Sequence, residues 1–353
     1  MVVMCYKANS VFVVIFLVML QLCVSIMLYI FGLQRFNTKK TLGMETYLNQ
    51  RDPKEVYYKD AIGTTVNLHR LKRGETDGLL GVALENRLLC KKVSQVDLLL
   101  VVHSAVGNPD RRRIIRTVFK KDPMYKNYTI RLLFLLGFKR DAKLQDKINQ
   151  EFSQYGDIVQ GRFLDTYRNL TYKAVMGLKW ISHNCRNVRN VVKIDDDVYM
   201  DLDNFFSHIY HNINSTNHIL CRVLYSRHAV KVNRRGKWAV QKYQFRHYDT
   251  FPVDFCSGFA VTMTGSMIPA LYKASLLVPI FWVDDVFMYG MVRGFIVTLD
   301  NLNPEFYKLK RNEILKCFKE DKKCKVVFSH VYSSLIMPLW QWRQESLGHS
   351  GSS

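Results

Sequence analysis

The sequence predicts an α/β domain built on a largely parallel sheet, and three observations carry that reading. Apolar runs of strand length recur at 96–103, 130–136, 158–163 and 191–194; helix-patterned stretches separate them; and the last run ends in three consecutive aspartates. Strands that alternate with helices form parallel sheets covered on both faces, because each crossover helix must bury its own apolar stripe.

The run Val96–His103 is the first strand. Asn108-Pro109-Asp110 then gives a helix start: a capping residue, a proline whose missing N–H is harmless in the first turn, and an early acid. Ile115, Val118 and Phe119 share one face at i, i+3, i+4 spacing. Residues 130–136 read as a second buried strand, 143–155 as a polar-faced helix, and 158–163 as a loosely alternating strand. Leu170, Ala174, Leu178 and Ile181 mark one face of the next helix. The strand at 191–194 runs directly into Asp195. In open sheets of this type ligands bind beyond the carboxyl ends of strands, which directs attention to residues 195–197.

A chain of 353 residues that is 48% hydrophobic and 13% aromatic has ample material for a core and is not a disordered polymer. Its formal charge of +21 attracts anions and admits nucleic acid, an anionic surface or acidic substrates as partners. Residues 11–33 are apolar apart from Gln21, Ser25 and Gly32. As a helix they reach ~35 Å at about 1.5 Å per residue, enough to cross a hydrocarbon core. The run is long for a cleaved signal core and no small-x-small site follows it, so it reads as a signal anchor. The organisation expected is a cytoplasmic tail at 1–10, the anchor at 11–33, a polar, weakly patterned stem at 34–92, a catalytic domain at 93–343 and a frayed tail at 344–353.

Lys7 before the span and Arg35, Lys39 and Lys40 after it lean against a lumenal domain under the positive-inside rule. Sequons at Asn127, Asn169 and Asn214 argue for one. The span and the sequons together disfavour a nucleic-acid binder. In an oxidising lumen Cys90, Cys185, Cys221, Cys256, Cys317 and Cys324 could form up to three disulfides. Six cysteines allow about fifteen pairings, so connectivity stays open, although Cys317 and Cys324 are close enough to close a short basic loop. No Cys-x-x-Cys pair occurs, which disfavours zinc.

Asp195-Asp196-Asp197 at a strand end repel one another unless a cation offsets them. Hard oxygen ligands suit Mg²⁺ or Mn²⁺, with water and diphosphate completing the shell. The competing reading is an acidic cap for a helix starting near Asp201. Asp284-Asp285 after Phe281-Trp282-Val283 carries the same two readings, a general base beside an aromatic wall or a helix cap, and the residues alone favour the cap.

The motifs from Val96 to about Trp342 resemble, in order, those of the β-1,3-glycosyltransferases, which include β-1,3-galactosyltransferases and β-1,3-N-acetylglucosaminyltransferases. Arg112-Arg113-Ile114-Ile115-Arg116 is similar to the family's opening arginine motif, with Phe119 where tryptophan is usual. Asp165 to Lys173 is close to the Asp-x-Tyr-x-Asn-Leu-Thr-x-Lys signature. Lys193-Ile194-Asp195-Asp196-Asp197-Val198 matches the metal motif, Lys237-Trp238 the acceptor-side motif, and Phe255-Cys256-Ser257-Gly258 the aromatic-Cys-Ser-Gly turn. Val283 to Phe287 stands where the family has Glu-Asp-Val-Tyr, so Asp284 replaces a glutamate. Val118-Phe119 for Thr-Trp, and Pro252 one residue farther from Cys256, are further departures that bear on sugar specificity.

The resemblance implies a GT-A type fold, Rossmann-like in its first half, in a single-pass type II Golgi membrane protein. It implies inverting transfer of a hexose, galactose or N-acetylhexosamine, from a UDP-sugar to a glycan acceptor hydroxyl. On that reading Asp285, with Asp284 beside it, is the base. Asp197 and His330, with Asp195, hold Mn²⁺ or Mg²⁺. Asp195, Asp196, Arg112 and Arg116 support the nucleotide, while Trp238 and Gly258 lie toward the acceptor. Taken alone, His330 reads as a core histidine and Trp238 equally well as a core aromatic. Asn169 lies within a structural motif and is expected to be unglycosylated, which leaves Asn127 and Asn214 as glycan sites. The rival reading is a membrane-anchored, catalytically inactive glycan-binding protein on the same fold. With residues 34–353 lumenal, an endoglycosidase mobility shift is expected in the wild type and is lost in the Asn127→Gln/Asn214→Gln double variant.

Overall fold

The computed structural model describes residues 73–213, 218–228, 230–295, 298–320 and 324–348. The expected anchor at 11–33, most of the expected stem, and Asn214 lie outside the described residues. No helix among the described residues is long and apolar enough to cross a membrane.

The chain opens with helix α1 (Arg73–Leu80) and strand β1 (Val82–Leu84). Strand β2 (Val96–His103) leads into α2 (Pro109–Lys121) and a short α3 (Met124–Asn127). Strand β3 (Ile130–Phe138), α4 (Ala142–Tyr155), β4 (Ile158–Leu164) and α5 (Leu170–Asn184) follow, and β5 (Val188–Asp195) closes the parallel part. The ends of α4 show why these elements stop where they do. The Asp141 carboxylate accepts the Leu144 N–H at one end, and Gly156, at φ 62°, turns into the left-handed region at the other.

Strands β4, β3, β2 and β5 lie side by side and parallel, with Leu100 between Leu132 and Val192. Successive residues of β2 face opposite sides. Leu98, Leu100 and Val102 join one apolar cluster, Leu99 and Val101 the other. Helix α5 covers the Leu99 side through Val175, Leu178 and Ile181, and α2 covers the Leu98 side through Ile115, Val118 and Phe119. The expected strands and helical faces are therefore present, with ends moved by a residue or two.

Beyond β5 the sheet becomes mixed. Strand β8 (Phe255–Thr264) pairs antiparallel with β5, β7 (His218–Leu224) antiparallel with β8, and β9 (Thr298–Asn301) parallel with β7. The complete order is β1-β4-β3-β2-β5-β8-β7-β9. The chain thus moves outward from β2 to β4 and then returns across β2 to β5. The carboxyl ends of β2 and β5 flank that reversal, where a crevice opens in sheets of this kind.

A second, three-stranded sheet brings the end of the chain to the same place. Strand β6 (Val198–Met200) precedes a short α6 (Leu202–Phe205); β10 (Tyr307–Lys308) and α9 (Arg311–Glu320) lead to β11 (Phe328–His330) and α10 (Ser333–Ser346). Strand β11 pairs antiparallel with β6 in a register that sets His330 opposite Val198. Helix α7 (Ile268–Leu277) packs on α5, and α8 (Asp284–Val286) continues as a π-helical turn through Val292.

The expected stem boundary at 92 is too late. Strand β1 pairs antiparallel with β4, Leu80 and Cys90 are buried, and Cys90 is bonded to Cys185, so residues 73–92 belong to the folded domain. The other disulfides join Cys221 to Cys256 and Cys317 to Cys324. Because Cys90 and Cys185 are 95 residues apart, their bond removes much loop entropy from the unfolded chain. Cys90→Ser/Cys185→Ser should lose about 4 kcal/mol in denaturant unfolding, against about 2–3 kcal/mol for the 7-residue Cys317–Cys324 loop.

Candidate active site

The register of β2 and β5 sets His103 beside Asp195. The acidic triplet occupies the turn from β5 to β6 and does not cap α6. That role belongs to Asp201, whose carboxylate accepts the Asn204 N–H at 2.8 Å. The three carboxylates have different surroundings. Asp196 is buried and accepts from Ser104 Oγ at 2.7 Å, Asn108 Nδ2 at 2.8 Å and Arg111 Nη1 at 2.6 Å. It therefore ties the triplet to the loop after β2. Asn108 spends its side chain on Asp196 and makes no side-chain cap to α2. Asp195 accepts from Lys193 Nζ at 2.7 Å. Asp197 Oδ2 lies 3.6 Å from Arg111 Nη1 and 3.6 Å from His330 Nε2. Burial and the charge of Asp195 push the Asp197 pKa up, while His330 opposes the shift. The His330 side chain is 52% exposed, so it is no core histidine.

Asp285 is the second residue of α8, the short helical turn Asp284–Val286. Its Oδ2 accepts the Gly258 N–H at 2.9 Å. A Cβ at position 258 would lie 1.8 Å from Asp285 Oδ1, so the glycine is what lets this carboxylate reach the strand. Helix capping does not account for that contact. Asp284 lies in the first turn of α8, whose N-cap is Val283 with no side-chain cap; burial pushes its pKa up, with Asp195, against the pull of Lys193 and of the backbone N–H groups of residues 284 and 285. The Lys193 ammonium is buried and donates to Asp195 Oδ1 and to the Gly258 carbonyl. Burial lowers its pKa, but the charge of Asp195, with Asp284 and Asp285, more than offsets this and holds it above the usual lysine value. Burial and the neighbouring Asp284 push Asp285 up to about 8, against the pull of Lys193 and the Gly258 N–H. His103 is driven well below the ordinary histidine range by burial and by Lys193 and Lys173, and its Nδ1 has no hydrogen-bond partner among the described residues.

Asp165 and Lys173 clasp the same loop from the opposite wall. Lys173 Nζ donates to Ser104 O at 2.6 Å and to Asp165 Oδ1 at 2.8 Å, while Asp165 Oδ2 accepts the Val106 N–H at 2.9 Å. At the mouth Trp238 is 52% exposed, and its Nε1 donates to Tyr167 Oη at 2.6 Å. It is not a core aromatic. A cleft of about 440 Å³ is bounded by His103, Asp195–Asp197, His330, Gly258, Asp284, Asp285, Tyr167 and Trp238. Of the sequons, Asn127 is exposed, whereas the Asn169 amide is half-buried and donates to Leu164 O at 2.9 Å.

Arg112 and Arg116 do not line this cleft. Arg112 is 0% exposed and binds Glu151 through Nε at 2.8 Å and Nη2 at 2.7 Å, with Nη1 on Ala105 O. Arg116 pairs with Asp157 and Glu151. Both brace α2 against α4 and the start of β4. The arginine that does reach the triplet is Arg111, one position earlier and overlooked in the motif reading. Lys193, Ser104, Asn108, Tyr167 and Lys173 were likewise given no role in the site, although Lys193, Tyr167 and Lys173 stand inside the quoted motifs.

Asp195, Asp197 and His330 form an oxygen-rich donor set suited to Mg²⁺ or Mn²⁺. Among the described residues no three His, Cys, Asp or Glu side chains already converge on one point. The set fits a cation that brings further ligands of its own, as a diphosphate does, and it does not form a closed protein cage.

The galactosyltransferase family model matches residues 110–301, a span that contains the triplet, Gly258 and Asp285. The chain belongs to the galactosyltransferase family and is a glycosyltransferase. Beta-1,3-galactosyltransferase 5 of Homo sapiens is 30% identical over 212 residues, covering 60% of this chain and 67% of that protein. Beta-1,3-galactosyltransferase 2 of Homo sapiens is 28% identical over 194 residues, covering 54% and 46%. Among solved structures, a galactosyltransferase in complex with donor and acceptor sugar analogues superposes with a TM-score of 0.38 at 10% identity, over 69% of this chain and 95% of that one.

The raised pKa of Asp285 has a consequence for stability. Between the ordinary value of 3.8 and about 8 the folded protein retains a proton that the unfolded chain has released. Stability therefore falls as pH rises through that window. Asp285→Asn keeps an acceptor for the Gly258 N–H and removes the titration. Its Tm, measured by calorimetry without ligands, should equal the wild type's near pH 4 and exceed it near pH 8.

Proposed function

We propose that the protein is an inverting transferase that moves galactose or an N-acetylhexosamine from a UDP-sugar to a glycan hydroxyl, forming a β-1,3 linkage. The observation that carries this reading is that two groups of residues meet in one cleft. Asp197 and His330, 3.6 Å from each other, and Asp285, held on Gly258, line the same cleft. The relatives' printed names support galactose as donor sugar and the β-1,3 linkage. The expected anchor and sequons support a type II Golgi protein with residues from about 73 onward forming the lumenal catalytic domain.

In the proposed step the acceptor hydroxyl oxygen attacks the anomeric carbon from the Asp285 side. A new C–O bond forms while the bond from the anomeric carbon to the UDP oxygen breaks, and its electron pair leaves with UDP. The hydroxyl proton passes to the Asp285 carboxylate, whose raised pKa makes it a competent acceptor. The buried Lys193 ammonium lowers the Asp285 pKa and so favours the ionised form that accepts the proton. Mn²⁺ or Mg²⁺ bound by Asp197 and His330, with Asp195 nearby, would supply neutralisation of the charge gathering on the diphosphate. Arg111 orients the triplet for that purpose through Asp196.

The full-length protein in detergent, supplied with individual UDP-sugars and Mn²⁺, should transfer one of them, and chelation should abolish turnover until Mn²⁺ is restored. Asp285→Asn should lower turnover by roughly 10²–10⁴-fold with UDP–Mn²⁺ affinity retained. Asp284→Asn should lose less. A collapse confined to Asp284→Asn would move the base by one residue, and full transfer in excess chelator would remove the metal from the reading.

A further inference from the structure

Most of the chain's positive charge has no part in the proposed reaction, and some of it is concentrated on one segment. Between Ser226 and Asp249, on the segment joining β7 to β8, stand seven lysines and arginines against a single aspartate. This segment is built rather than trailing. Arg234 donates to the carbonyls of Gln241 at 2.9 Å, Gln244 at 2.8 Å and Phe245 at 2.8 Å, and Val240 and Phe245 are buried beneath it. Folding the loop in this way consumes Arg234. Lys231, Arg235 and Lys242 are exposed and have no carboxylate partner among the described residues.

The same loop delivers Trp238 to the cleft. Trp238 and Tyr167, joined by their 2.6 Å hydrogen bond, form an exposed aromatic edge, and Trp282 meets Tyr167 at a ring distance of 6.2 Å. Each ring already carries a cation. Lys237 Nζ lies 4.5 Å from the Tyr167 centroid, and the Arg168 guanidinium 4.5 Å from that of Trp282. This edge belongs to the cleft that holds Asp285, since Tyr167 and Trp238 line it together with Asp284 and Asp285, and Trp282 is two residues before Asp284. A pyranose seated there presents C–H groups to the rings, and any acidic substituent on it meets lysine and arginine. Unpaired cations gathered on one loop repel one another, and an anionic partner relieves that repulsion.

We infer that the mouth is a subsite for an acidic glycan acceptor, one bearing a sulfate or a uronate carboxylate next to the sugar that is extended. This rests on the transferase reading above and names the acceptor class for the same cleft. The anion faces Lys237 and Arg168 at the rings and the Lys231/Arg235/Lys242 group farther out, while the accepting hydroxyl points inward to Asp285.

The test uses the full-length protein in detergent with saturating donor and Mn²⁺. The acceptors are three disaccharides that share one terminal sugar, the neutral form, its 6-O-sulfated form and a form with glucuronate in the penultimate position. Transfer is measured at about 50 and 300 mM salt, and binding of each disaccharide to the UDP–Mn²⁺ complex is measured in parallel by calorimetry. A charged acceptor should show about a tenfold higher kcat/KM than the neutral one, carried by KM and shrinking at the higher salt. In Lys231→Glu/Arg235→Glu/Lys242→Glu the ratio of charged to neutral should fall to about one or below. Preference for the sulfated or the glucuronate form alone supports the subsite and says which anion it takes. Equal kcat/KM for neutral and charged acceptors overturns the subsite and leaves the transferase reading intact. Tighter binding of a charged disaccharide without transfer from any UDP-sugar sustains the subsite and counts against the proposed donor. Equal binding of all three, or binding of the protein's basic loop to phosphatidylserine vesicles with no preference among disaccharides, overturns it.

Discussion

The Lys193 ammonium is the interaction on which the site depends. It enters from β5, and the antiparallel pairing of β5 with β8 sets Lys193 opposite Val261, so its side chain reaches the Gly258 carbonyl on the neighbouring strand. One buried cation thereby joins the acidic turn after β5 to the strand that holds Asp285. Without it the buried Asp284 and Asp285 would lose the cation that pulls both toward ionisation, and an uncompensated buried ion costs several kcal/mol. Replacing it with a neutral residue would disturb both sides of the cleft together.

Topology explains why residues so far apart in the chain meet here. The reversal between β2 and β5 opens a crevice at strand ends, and the β2–α2 loop fills its rim. That loop is gripped from three directions, by Asp196 through Ser104 and Asn108, by Lys173 through the Ser104 carbonyl, and by Arg112 through the Ala105 carbonyl. The small sheet then returns the end of the chain to the triplet, setting His330 beside Asp197. Helix α10 fastens that return, with Arg343 Nη2 on Asp203 at 2.7 Å and on Asn204 at 2.8 Å, just beyond β6.

Much of this was legible in the sequence, for physical reasons that also mark where legibility ends. The four parallel strands and the faces of α2 and α5 follow from periodicity, because apolar residues at strand or helix spacing have little choice about what they bury. Strand β1 is three residues long and only partly buried, so no period could announce it, and the expected stem absorbed it. The arginines of α2 were misassigned for another reason. Arg111, Arg112 and Arg116 look alike in sequence, and what separates them is Glu151, Asp157 and Asp196, which lie 39 to 85 residues away and become neighbours only through the sheet. The disulfides are similar, since Cys221 and Cys256 meet through the β7–β8 pairing, which sets Cys256 opposite Val223. The open choices at Trp238, His330 and Asp285 turned on exposure and on a partner's identity, and neither is a property of local sequence.

The triplet shows how the fold distributes like charges that would otherwise oppose it. Three adjacent carboxylates in one turn are tolerable because each is treated differently. Asp196 is enclosed by three donors and satisfied within the protein. Asp195 is balanced by Lys193 beneath it, with its side chain still 43% exposed. Asp197 receives only two longer contacts, from Arg111 and His330, and its carboxyl is correspondingly reluctant to ionise. The unmet demand for positive charge is thus concentrated on one side chain at the cleft wall, next to an imidazole that can also donate a lone pair. A divalent ion carrying diphosphate would satisfy that demand and leave Asp196 to hold the turn in shape. On this view Asp197 is the principal proposed ligand of the triplet, with Asp195 beside it, and the Arg111–Asp196 contact matters because it aims Asp197.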